Sequence, residues 1–336
     1  MDDLDLPEFQ TKLREILNLP PDTAARYLEA LAPLVNRMAQ TGLGTTACLE
    51  TGCLPLPVHF YSPVPDLNDL RNRRIWEKQS TLHGIAWNTQ EQLAFLEMLG
   101  HYYGSECRWP AKPIGDPNQF YTENNSFSFG CAAITHCLIR YAKPRRLMEI
   151  GSGFSSQVID EALMMNRHEG SSCQYTVIDP YPASQLHSGL NSKPMVREER
   201  VELVDPEFFS QLQANDILFI DSGHTVRSGG DVNFLILDVL PRLSEGVMVH
   251  FHDIPMPYEY PESYFTNPGF RVFWTESYLL QAFLCLNPQY RILLAVSDIF
   301  HLHRDDFQNA FRYYDPVEHR NASSSFWIQR VGRKQA

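Results

Sequence analysis

The chain has 336 residues, 43% hydrophobic, 12% aromatic and 20% charged, a balance that builds a folded core and excludes disorder over most of its length. Its 28 Lys and Arg against 40 Asp and Glu leave a net charge of −12, a field that repels a phosphate backbone, so nucleic acid is not an expected partner. No run approaches the roughly 18 apolar residues of a membrane span, the acidic N-terminus lacks a leader pattern, and the seven cysteines show neither CxxC nor zinc-finger spacing. A cytoplasmic protein with reduced thiols and no membrane partner is expected.

Apolar positions at helical spacing over residues 8–40 predict two helices joined at Pro20 and Pro21. Residues 42–66 read as an extended loop ending in HFYSPVPD, with Phe60 and Tyr61 as apolar anchors. A helix is expected from Thr89, where Thr89 and Gln92 have capping-box spacing, and another over 127–141, ended by Pro144.

From there the pattern changes. β-rich runs at 145–151, 174–179, 200–205, 216–221 and 246–253 alternate with segments of helix length, which predicts a parallel sheet covered by helices on both faces. A Pro/Tyr-rich loop with Tyr258, Tyr260, Tyr264 and Phe265 follows, readable as a substrate lid or as a packing loop. A helix near 276–286 and strands at 290–296 and 324–331 complete the order. His301 and His303 alternate as on a strand and read as part of a solvated turn. The chain therefore divides into an N-terminal helical and loop region, 1–120, suited to a cap or to self-association, and an α/β domain, 121–336.

The run MEIGSGFSS places Glu149, Gly151, Ser152, Gly153, Ser155 and Ser156 between a strand and a helix. Glycines there allow a tight turn and close approach of the backbone to a ligand, and the helix amides face that ligand. The third glycine of a dinucleotide fingerprint would fall at Ser156, so the loop departs from that pattern. Asp179 closes the next strand, where a carboxylate accepts from the two hydroxyls of a ribose, which points to an adenosine-containing cofactor.

E-x-G-x-G before a helix, a strand ending in Asp, DILFIDSGH, a strand ending in HFHD and the closing SFWIQR together resemble the class I S-adenosylmethionine-dependent methyltransferases over about residues 120–331. Within that class the pattern is similar to the subgroup of metal-dependent sugar and catechol O-methyltransferases. The resemblance implies a Rossmann-like, doubly wound, mostly parallel seven-stranded α/β sheet with an N-terminal helical extension. It implies S-adenosyl-L-methionine as cofactor, with Glu149 holding the end of the first strand and Gly151 and Gly153 beneath the methionyl part. Asp179 would bind the ribose, and Asp205 would lie near the adenine.

Asp221, His252 and Asp253 end two strands at the same edge and suit a divalent metal such as Mg, Mn or Fe. Relatives in that subgroup carry acidic residues at all three positions, so His252 departs from their pattern. His224, three residues past Asp221, is placed to act as general base, with Asp221 also catalytic. The expected activity is O-methylation of a small molecule, with self-association admitted. The alternatives are N-methylation and a non-catalytic cofactor-binding or interaction protein; an NAD-type oxidoreductase is disfavoured by Ser156.

Overall fold

The computed structural model describes residues 6–182, 186, 189–267, 269, 271–319 and 323–332. Contacts divide the chain into two units, Met1–Arg74 and Ile75–Ala336. In the first, α1 (Leu6–Leu17), α2 (Pro21–Ala30), α3 (Ala32–Thr41), α4 (Thr45–Glu50) and α5 (Leu67–Asn72) follow one another. The expected break at Pro20 and Pro21 is present. A second break falls at Leu31, ahead of Pro33, so the two helices read over 8–40 are three. The segment 42–66, expected to be wholly extended, holds α4, and the Asp66 side chain caps α5 by accepting from the amides of Asn68 and Asp69.

The second unit is built on one seven-stranded sheet: β1 (Arg146–Ile150), β2 (Gln174–Ile178), β3 (Met195–Arg197), β4 (Ile217–Ile220), β5 (Met248–Phe251), β6 (Tyr290–Ala295) and β7 (Phe326–Arg330). The strands lie in the order β3-β2-β1-β4-β5-β7-β6, with β1 to β5 parallel and β7 antiparallel to both neighbours. This is the mostly parallel α/β arrangement expected.

The third strand is displaced, however. It occupies 195–197, and the 200–205 run instead forms a 3-10 turn, Val201–Leu203. Val201 and Val204, three apart and both buried, share one side of such a turn, a spacing that a strand would send to opposite faces.

Alternation along the strands divides the core in two. Leu147, Tyr175, Val177, Ile217 and Phe219 face a cluster with α6 (Thr89–Tyr103), α7 (Phe129–Ala142) and α8 (Phe154–His168). Met148, Ile150, Leu218, Ile220, Val249 and Phe251 face the helical segment Asp231–Val239 and the helix Glu276–Leu284. Strands buried on both faces have to read as apolar runs, which is why they are visible in the sequence.

Helix α6 starts at Thr89 as expected, but not through a capping box. Asn88 is the cap residue, and the Gln92 side chain turns inward, donating to the Trp87 carbonyl at 2.5 Å and accepting from the Ala295 amide at 2.7 Å. Buried Leu96 and Leu99 place α6 in the core of the second unit. His301 lies on a helix, Val296–Leu302, rather than on a strand or in a turn, with its ring stacked on Tyr258 at 4.1 Å. No helix among the described residues is long and apolar enough to cross a membrane.

Candidate active site

Parallel strands bring their carboxyl ends to one edge, and Gly151, Asp179, Asp221 and His252 each follow directly on β1, β2, β4 and β5. Gly151 has φ +79°, a conformation that favours glycine. After it, Gly153 opens α8, and no atom lies within 4 Å of where its Cβ would be. The loop thus presents open backbone at a helix N-terminus, as its composition predicts.

Glu149 lies on the α8 side of β1, by the same alternation that buries Leu147 there. It is fully buried, and its carboxylate accepts from Ser155 Oγ at 2.7 Å, from Ser156 Oγ at 2.8 Å and from the Tyr175 hydroxyl. Burial pushes its pKa up to about 7, partly opposed by these three donors. Glu149 therefore pins the first turn of α8 to β1 and β2. Tyr175 escapes sequence reading because on a strand it looks like any buried aromatic.

Asp179 is nearly buried. It accepts from Ser152 Oγ at 2.6 Å and from the Tyr181 amide at 2.8 Å, so it is tied to the glycine loop by a side chain of that loop. Asp205 is exposed and caps a 3-10 turn, Pro206–Gln211, by accepting from the Glu207 amide at 2.9 Å.

The histidines and the remaining carboxylates form one cluster. His224 Nε2 lies 3.2 Å from Asp221 Oδ1 and 4.0 Å from Asp253 Oδ2, while its Nδ1 is 2.8 Å from Glu276 Oε2. His252 Nδ1 lies 3.7 Å from Asp221 Oδ1 and 3.5 Å from Asp253 Oδ2. His224 and Asp253 both have positive φ, +53° and +54°, a conformation in which His and Asp are enriched among non-glycine residues. Ser324 Oγ donates to Asp253 Oδ1 at 2.7 Å.

Burial opposes the charge on His224, yet the Asp221 and Glu276 carboxylates outweigh it and hold the imidazolium up to about 10. Burial likewise opposes the His252 imidazolium, which Asp253 and Asp221 raise well above its ordinary range. Those histidines hold the Asp253 carboxyl well below its usual range against the effect of burial. His250, two residues back on β5, is instead kept neutral by burial, stacked on Phe219 at 3.8 Å. Cys131 on α7 adds to the cluster: burial raises its thiol, but the adjacent His252 brings it down to about 7.

The structure thus brings Asp221, His252 and Asp253 together, as their strand-end positions predict. Among the described residues, no group of three or more His, Cys, Asp or Glu side chains is arranged to hold a metal ion. The carboxylates lie against the rings of His224 and His252 and the Ser324 hydroxyl, and an ion held by Asp221, His252 and Asp253 would take the place of protons in that cluster.

Glu276 is the member of the cluster that sequence reading misses. An acidic residue in the first turn of a helix reads as a complement to the helix dipole, and 52 residues separate it from His224. The Pro/Tyr loop divides its side chains between two tasks. Tyr260 is buried and accepts from the Ser277 amide at 3.0 Å, whereas Tyr264 meets Trp274 edge-on at 4.9 Å, and Trp274 in turn lies 4.4 Å from the His224 ring.

Residues 148–254, from β1 through the end of β5, match a family model described as a methyltransferase domain. An uncharacterized protein of Archaeoglobus fulgidus is 31% identical over 183 residues, covering 52% of this chain and 80% of that protein. Among solved structures, the O-methyltransferase TomG of Streptomyces achromogenes, involved in tomaymycin synthesis and in complex with SAM, is 12% identical over 71% of this chain and 90% of its own, with a TM-score of 0.37. An O-methyltransferase of Bacillus cereus in complex with SAH is 13% identical over 71% and 91%, with a TM-score of 0.36. A structure of cmcI-D160 with Mg and SAM is 18% identical over 66% and 74%, with a TM-score of 0.33.

Proposed function

We propose that this chain, whose residues 148–254 match the methyltransferase-domain family, methylates an oxygen of a small molecule using S-adenosylmethionine, with His224 as general base and Asp221 as its partner. The observation that carries this reading is the double engagement of Asp221. Its carbonyl oxygen packs against Gly151 so closely that a Cβ there would lie 1.9 Å away, while its carboxylate reaches His224 Nε2 at 3.2 Å. One residue joins the glycine loop to the basic group.

The loop suits a nucleoside cofactor by its own features. Space over Gly153 is open, and Asp179, although engaged by Ser152 and Tyr181, retains lone pairs for ribose hydroxyls. Gly151, Ser152 and Gly153 would pass beneath the methionyl part, with Ser155 and Ser156 held by Glu149. When bound, the cofactor supplies an electrophilic sulfonium methyl.

The remaining chemistry belongs to the protein. At neutral pH His224 carries a proton that two carboxylates stabilise. It releases that proton to solvent more readily when a positive charge occupies the neighbouring loop, because like charges disfavour the imidazolium. The neutral ring then accepts the proton of an acceptor hydroxyl at Nε2, and Asp221 stabilises the imidazolium that results. Trp274 and Tyr264 bring apolar surface to this edge, which helps to exclude water from the reacting groups. The protonated resting state of His224 also supports a second reading, N-methylation, since a neutral amine attacks with its own lone pair.

Calorimetric titration with S-adenosylhomocysteine tests the cofactor, and transfer of labelled methyl from S-adenosylmethionine to a panel of phenols, sugars and amines tests the reaction. His224→Gln is expected to lower kcat on a hydroxyl acceptor by about 10²–10⁴-fold with little change in S-adenosylhomocysteine affinity. No binding would sink the cofactor assignment and leave a non-catalytic interaction protein. Transfer only to amines, insensitive to His224→Gln, would select the second reading. Activity lost in EDTA and restored by Mg²⁺, Mn²⁺ or Fe²⁺ would put a metal back at Asp221, His252 and Asp253.

A further inference from the structure

We propose that Glu276 is the positioning residue for His224: it accepts a hydrogen bond from Nδ1–H, fixes the plane of the ring, and leaves Nε2 as the nitrogen that faces Asp221 and the acceptor. This deepens the methyl-transfer reading above and rests on it for its catalytic meaning.

Glu276 is deeply buried, and His224 is its polar side-chain partner. Its side chain is 1% exposed, Oε2 lies 2.8 Å from His224 Nδ1, and Oε1 has no hydrogen-bond partner among the described residues. Burying a carboxylate is costly unless it is paired, and an apolar side chain of similar volume would usually serve packing as well or better. Glu276 therefore has one polar task visible in the structure, and it is His224.

The backbone supports the same task. The amides of Thr275 and Glu276 donate to the His224 carbonyl at 2.9 and 3.1 Å, and Thr275 Oγ1 accepts from the Val226 amide at 2.7 Å. Trp274 covers the ring at 4.4 Å. Trp274, Thr275 and Glu276 thus form a socket that grips main chain, ring face and ring nitrogen together.

An imidazole serves as base through one nitrogen only when the other keeps its proton, and a buried carboxylate at Nδ1 selects that tautomer. The other groups around the ring leave Nδ1 to Glu276: Asp221 and Asp253 both approach Nε2. Asp231, which also acts electrostatically on Glu276, is engaged with the Gly223 amide.

The test is nitrogen-15 NMR of histidine-labelled full-length protein, wild type against Glu276→Ala, Glu276→Asp and Glu276→Gln, with S-adenosylhomocysteine affinity measured on each. A downfield hydrogen-bonded Nδ1 proton on His224 is expected in the wild type. It should be lost in the Ala variant and in Asp, which keeps the charge but is one methylene short, and be retained in Gln, whose amide oxygen can still accept. S-adenosylhomocysteine affinity should stay within about twofold of wild type, which is under 0.5 kcal/mol.

An unchanged Nδ1 signal in Glu276→Asp, or its loss in Glu276→Gln, would overturn the proposal. So would a fall in S-adenosylhomocysteine affinity that parallels the signal, because Glu276 would then belong to the cofactor site. If Glu276→Ala does not fold, the Asp and Gln pair decides by the same criterion. Should the wild type bind no S-adenosylhomocysteine, the methyl-transfer reading fails, while the NMR comparison still reports whether Glu276 orients the ring.

Discussion

Gly151 and Asp221 are packed so tightly that a Cβ added to Gly151 would stand 1.9 Å from the Asp221 carbonyl oxygen. The contact follows from the ladder between β1 and β4, in which the Asp221 amide donates to the Ile150 carbonyl at 2.9 Å and draws the end of one strand beneath the turn of the other. Gly151→Ala should therefore lose at least about 2 kcal/mol, since strain at φ +79° and the clash act together. Denaturant unfolding would measure the loss, and an unchanged midpoint would show that the loop relaxes freely.

Glu149 gives a second prediction. Glu149→Ala leaves Ser155, Ser156 and Tyr175 without their acceptor and should cost about 2–3 kcal/mol. Glu149→Gln keeps an acceptor and removes a buried charge. The pKa of Glu149 is raised in the fold to about 7 from an ordinary 4.5, so the folded state binds its proton more tightly. Its contribution is fully present below pH 4.5 and is lost as pH rises through about 7. Thermal unfolding of wild type should accordingly lose ground between pH 4.5 and about 7 relative to Glu149→Gln. Parallel curves would contradict the assignment.

For His224 the direction is the same but the window is higher. Its folded pKa is raised to about 10 from 6.5, so the stability it contributes is complete below pH 6.5 and disappears as pH rises through about 10. His224→Gln should flatten that alkaline decline. Calorimetric unfolding at stepped pH distinguishes the two histories, and an equally steep decline in the variant would mean that other groups carry it.

Asp179 is predicted to act on affinity more than on folding. Its backbone partner, the Tyr181 amide, is still served in Asp179→Asn, whereas the charge that would favour ribose hydroxyls is gone. S-adenosylhomocysteine affinity should fall about 10–100-fold, equivalent to one or two charge-assisted hydrogen bonds. Titration calorimetry of the variant checks this, and wild-type affinity would remove Asp179 from the cofactor site.

Much of this protein is legible in its amino-acid sequence. A parallel strand must bury both faces, so β1, β2, β4 and β5 appear as apolar runs, and the residue that closes each run falls at one common edge. That rule alone places Gly151, Asp179, Asp221, His252 and Asp253 together. Where the period is ambiguous, reading fails: Val201 and Val204 belong to a 3-10 turn, and Gln92, spaced to cap a helix, instead bonds the edge of β6 through Ala295.

Local composition and periodicity determined the sheet, its covering helices and the shared edge, because these depend on which residues are apolar and how often they recur. Tertiary structure alone decided how the edge works. Glu276 reaches His224 across 52 residues, Tyr175 reaches Glu149 from the adjoining strand, and Ser324 reaches Asp253 from the approach to β7. Hydrogen bonds of this kind depend on distances of about 3 Å between side chains far apart in sequence, and no pattern along the chain encodes them.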